Sequence, residues 1–145
     1  MPVTDQQVAT LRALLANDPE RHDRLFAQLD RGAAMDGYTA LVTGAFCEAV
    51  DRRFSEDAPA ADVIDFVADV RSRSERLTRE VDPVVAERVI RVVLSEGSLA
   101  DLSPEVVVGA QIVLLTALIA DEHLDDAGLD AFLAKARKLG DELMG

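Results

Sequence analysis

The chain has 145 residues, with 27 Asp and Glu against 15 Lys and Arg, and so a formal net charge of −12. A field of that sign repels nucleic-acid phosphate and anionic lipid and draws in basic proteins or cations. A hydrophobic content of 49% excludes a disordered chain, and the length suits one domain that buries roughly 68–70% of its unfolded surface without a disulfide or metal staple.

The predicted elements are all helices. Thr4 opens the first: Gln7 stands three residues on, as a capping box requires, and Val3 and Val8 are placed to form a hydrophobic staple. Asp18-Pro19 opens the second, an acceptor side chain followed by a residue whose missing N–H costs nothing there. Leu25, Phe26 and Leu29 give it an apolar face, and Gly32 is its expected end. The third shows the clearest period, with Tyr38, Leu41, Val42, Ala45, Phe46, Ala49, Val50 and Phe54 at spacings of three and four. Pro59 starts the fourth, whose face is Val63, Ile64, Phe66, Val67 and Val70. Leu77 and Val81 stay in phase, so this helix is expected to continue to Val81. Asp82-Pro83 begins a further helix carrying Val85, Val89, Val92 and Val93 and ending before Gly97.

Ser103-Pro104 repeats the cap-and-proline start. Val106–Ala120, which follows, contains no charge, and this absence of a polar face predicts burial on nearly all sides. The last helix carries Leu129, Phe132, Leu133, Ala136, Leu139 and Leu143. No segment alternates with period two. The expected fold is therefore all-α: a single compact domain over 1–145, of six or seven helices around a buried central helix at about 104–123. Gly44 and Gly109 lie inside otherwise good helices, where each costs about 1 kcal/mol relative to Ala; close helix approach would justify them, and so would plain tolerance.

Several side chains carry possible chemistry. Asp121, Glu122, His123, Asp125 and Asp126 crowd the end of the apolar run. Carboxylates with an imidazole suit a divalent cation, and a cation would relieve the acids that oppose the helix dipole at that end. The competing reading makes Asp125 or Asp126 the N-cap of the last helix and leaves the other acids solvated. Arg71, Arg73, Arg76 and Arg79 form a basic cluster, read as i,i+4 pairs Asp69–Arg73 and Glu75–Arg79 on a helix face. His22 is in phase with Leu25, Phe26 and Leu29, which suggests a packed, hydrogen-bonded imidazole. Cys47 is the one cysteine, so there is no disulfide framework or thiolate metal site. It has no basic neighbour within a helical turn to activate it.

Leu118-Ile119-Ala120-Asp121-Glu122-His123-Leu124-Asp125-Asp126-Ala127-Gly128-Leu129, followed by Phe132, Ala136, Leu139 and Gly140, resembles the second half of tellurite-resistance TerB-like helical domains. The resemblance covers about residues 113–140. Asp121 falls on the family's aspartate and Leu139-Gly140 on its end, whereas Glu122 stands where the family has glycine. No second copy aligns in the first half of the chain. The resemblance implies stress-linked interaction modules, with metal response an open option, and implies no catalysis.

The leading functional expectation is a non-enzymatic interaction or regulatory module that docks a basic protein partner on its acidic surface, strongest at 121–142. A divalent-metal sensor or enzyme built on residues 121–126 is the first alternative. A small-molecule-binding helical bundle is the second. No catalytic residue is assigned. Nucleic acid is an unexpected partner, and the apolar run is shorter than the roughly 18–20 residues that span a membrane. Without a basic segment leading into an apolar stretch at its start, the chain is expected to be cytoplasmic.

Overall fold

Helix caps set most of the boundaries in the computed structural model, which describes residues 2–29, 33–95 and 97–144. The helices are α1 (Asp5–Leu15), α2 (Pro19–Gln28), α3 (Ala33–Arg53), α4 (Ala60–Ser72), α5 (Glu75–Glu80), α6 (Pro83–Val93), α7 (Pro104–Glu122) and α8 (Asp126–Met144). No strand occurs among the described residues. Thr4 and Gln7 form the full capping box. Asp18 accepts from the backbone N–H of Arg21, and Asp82 accepts from those of Val84 and Val85. Ser103 Oγ accepts from the Val106 N–H at 3.3 Å. The expected end of the second helix at Gly32 lies outside the described residues; α2 itself stops at Gln28.

The described residues contain eight helices where six or seven were expected. The extra one comes from the 60–81 segment. Ser74 adopts an extended backbone, φ −159°, and its hydroxyl caps a new helix by accepting from Leu77 N–H at 3.0 Å. The apolar phase carries on across this break, so periodicity alone could not reveal it. A serine that competes for backbone donors is what interrupts the ladder.

Contacts divide the chain into two units, Met1–Glu48 with Ile119–Gly145, and Ala49–Leu118. Both α3 and α7 supply residues to both, so no linker marks the division. In the first unit α1 packs on α2 and α8. The N-terminus is tied to α8: Val3 N–H donates to Asp141 at 2.6 Å, and Arg137 donates to the Val3 carbonyl at 2.8 Å and to Asp5 at 2.6 Å. Gly44 of α3 explains itself here, because a Cβ at this position would fall 2.7 Å from the Ala136 carbonyl oxygen and 2.8 Å from the Gly140 nitrogen. Two backbones meet where neither carries a side chain. In the second unit α4 packs on α5 and α6. Its core is aliphatic around one aromatic pair, Phe54 and Phe66, edge to face at 5.7 Å.

All eight apolar positions foreseen for α3, from Tyr38 to Phe54, are buried. The expectation for α7 needs correcting. Leu114, Leu115, Ala117, Leu118 and Ile119 are buried, but Glu105, Val106, Gly109 and Thr116 are exposed, and Val107, Val108, Ala110, Ile112 and Val113 are only half-buried. Just 33% of the helix's most apolar window is buried. Composition alone cannot decide burial: a helix is covered only where neighbours reach it, and few reach the first half of α7.

Candidate docking groove and acidic junction

The uncovered half of α7 forms one wall of a groove in the second unit. Val106, Gly109, Ala110, Val113 and Leu114 face Val81, Val85 and Ala86 across an open volume of about 330 Å³. Three acids, Glu80, Asp82 and Glu105, complete its lining. Two are already engaged, Glu80 with Arg76 at 3.0 Å and Asp82 as the cap of α6. Glu105 has no ion pair or hydrogen-bond partner among the described residues. Val106 is 45% exposed, and Val84 on the adjoining α6 is 63% exposed. A Cβ built on Gly109 would meet nothing within 4 Å. Further along the same stripe, Thr116 donates its hydroxyl back to the Ile112 carbonyl at 2.8 Å, so its polar group is spent inside the helix. The result is an apolar strip with an acidic rim and no basic residue in its lining.

The acidic junction, by contrast, is dispersed. Asp121 and Glu122 close α7, His123 sits in the left-handed region at φ 51°, and α8 begins at Asp126. Asp125 is the N-cap, accepting from Gly128 N–H at 2.7 Å. Asp126, at the first helical position, lies 3.5 Å from Arg12, which also holds Asp130 at 2.9 Å. The Asp130 hydrogen bond is the main cause of an Arg12 pKa raised above its ordinary value, with the Asp126 contact adding to it. Among the described residues no three His, Cys, Asp or Glu side chains stand together where they could hold a metal ion. Thus Asp125 takes up the capping role that was the competing reading, and Asp126 turns to an arginine.

The other singled-out residues have local roles. Arg73 pairs with Asp69 at 2.8 Å, as its spacing requires. Arg76 takes Glu80, and Glu75 and Arg79 form no pair among the described residues. Arg71 donates to the carbonyls of Val81 and Thr78, both at 3.0 Å, and so secures the segment leading to the groove. His22 stacks on Phe26 with ring centroids 5.7 Å apart, and its Nε2 lies 3.4 Å from the Tyr38 hydroxyl. Burial pushes the Tyr38 phenol up to about 12. Cys47 is half-buried.

No family model, curated protein or solved structure matches the chain. The sequence around the groove carries a signal of partial exposure. Glu105 and Gly109 flank three valines; a carboxylate is a costly choice for a helix surrounded by protein, and a glycine costs helix stability wherever no close approach uses it. The α7 helix is also long and apolar enough to cross a membrane, by length and composition only, a test that the core helix of a soluble protein passes as well.

Proposed function

We propose that this chain is a non-enzymatic interaction module that docks a basic protein partner, with the α7 groove as its docking surface. The observation that carries the reading is the exposure of an apolar helix face where the fold could have placed a neighbour: Val106, Gly109 and Val113 line an open groove whose only charges are carboxylates. Apolar surface of this kind is stabilised when a partner removes it from water, and acids at the edge select basic flanks and speed encounter. The acids at 121–142 add to the field that such a partner meets. The resemblance of residues 113–140 to tellurite-resistance TerB-like domains is in keeping with this, since it implies interaction modules.

A photo-crosslinking residue at Val106, with Arg24 as the control position, tests the reading in cells that produce the chain. The expected result is capture of a basic protein at 106 alone, lost when Glu105→Lys is added. Equal capture at both positions, or an acidic protein captured at 106, overturns it. A second reading rests on the size of the groove: about 330 Å³ lies within the range of small-ligand pockets. Native mass spectrometry of the purified chain would show a bound apolar small molecule, absent in Gly109→Leu, if that reading is the correct one.

A further inference from the structure

The groove's shape also bears on the form of its occupant. Three modes of peptide recognition differ in the surface they need. Strand addition needs an exposed sheet edge, and the described residues contain no strand. Polyproline recognition needs an aromatic-lined groove, and no aromatic residue lines this one. A helix laid in a groove needs an apolar strip of helical length with room for close approach. The strip from Val106 to Thr116 is roughly 15 Å long, the length of a three-turn helix. The missing Cβ of Gly109 lies within it, about one turn from the Val106 end, and a Cβ there would meet nothing within 4 Å.

The molecule itself shows how such a notch is filled. At Gly44 the space left by the glycine is taken by the backbone of α8 at Ala136 and Gly140, glycine against glycine. Gly109 leaves the same kind of notch uncovered, in a helix where a glycine costs stability and gains nothing from internal packing. Glu105, in the first turn of α7, marks one end of the strip with a carboxylate that pairs with no side chain among the described residues. A second copy of this chain would bring Glu80, Asp82 and Glu105, and a net charge of −12, against their own likeness. Like charges at one interface penalise that pairing.

Resting on the docking reading above, we infer that the occupant of the groove is an α-helical segment of a basic partner, seated with a small residue over Gly109 and with lysine or arginine beside Glu105. The chemistry of recognition is then threefold: aliphatic contact with Val106 and Val113, backbone approach at Gly109, and one charge pair at the rim.

Three fluorescent peptides test this against the full chain by anisotropy. One has a Leu/Ala face, a central Gly and Lys flanks; the second has Glu flanks; the third has the first peptide's composition with a central proline that breaks its helix. The first is expected to bind about tenfold or more tightly than the other two, an effect of one decade in Kd. Its binding should weaken with salt, weaken in Glu105→Gln, and vanish in Gly109→Leu, a variant expected to melt no lower than the parent because its Cβ meets nothing within 4 Å and leucine is the better helix former. Equal binding of the helical and proline-broken Lys peptides would overturn the helical occupant and leave the docking of a basic partner standing. Binding of none of the three would overturn both. Sedimentation of the chain alone showing a dimer that Gly109→Leu abolishes would make a second copy the occupant and overturn the inference as well.

Discussion

Gly44 and Gly109 are the same residue in the same kind of context, deep within long apolar helices, and the structure uses them in opposite ways. At Gly44 a Cβ would collide with backbone atoms of α8, so the glycine is what allows two helices to touch. At Gly109 a Cβ would meet open space. One glycine is explained from within the fold, the other is not, and the unexplained one lines the groove. A glycine inside a helix can thus serve close packing, as at Gly44, or stand beside open space, as at Gly109, and the sequence does not distinguish the two.

The comparison can be broken most easily along α7 itself. Leu115 is fully buried and Val106 is nearly half exposed. Leu115→Ala should cost about 2–5 kcal/mol. Val106→Ala should stay within about 0.5 kcal/mol, as substitutions on the surface do. Similar losses at both sites in urea unfolding would mean that the first half of α7 is covered after all.

The two glycines give the next test. Gly44→Ala forces a methyl group against backbone, which cannot swing aside as a flexible side chain could, and should cost about 1–3 kcal/mol. Gly109→Ala meets no such obstacle and should raise stability by up to about 1 kcal/mol through better helix propensity. Opposite signs in paired thermal melts sharpen the comparison, and equal signs end it.

Tyr38, in the first unit, gives a pH test of comparable size. Its phenol is buried and has a pKa raised from 10.0 to about 12. Unfolding therefore releases its proton more readily once the pH passes 10. The contribution is fully present below that value and is lost as pH rises toward about 12, a loss of about 2–3 kcal/mol. Tyr38→Phe should flatten that part of the alkaline stability curve. A curve that stays equally steep in the variant would assign the alkaline loss to other groups.

The smallest effects are expected at the acidic junction. Asp125→Ala should remove about 0.5–2 kcal/mol by uncapping α8. Since Asp125 caps and Asp126 faces Arg12, millimolar calcium or manganese should raise the melting temperature no more than sodium chloride at matched ionic strength. A divalent-specific rise lost in Asp125→Asn would turn the junction into a cation site.

Much of this fold is legible one residue at a time. The Thr4–Gln7 box, the proline starts at Pro19, Pro83 and Pro104, and the stripes of α3 and α8 involve residues close in sequence. Local hydrogen bonding and helical spacing therefore decide them before any tertiary contact forms. The acidic junction was legible as a cluster but not as an arrangement. Whether four neighbouring carboxylates and one imidazole converge depends on the turn at His123 and on a partner as remote as Arg12.

The sequence by itself determined that the chain is helical, acidic and aliphatic in its core, because period, capping and charge are written in consecutive residues. Only the tertiary structure decided which apolar surface stays open. The burial of α7 is a property of its neighbours and not of its own side chains. The eleven residues from Val106 to Thr116 contain no charge, whether the rest of the fold covers them or leaves them open.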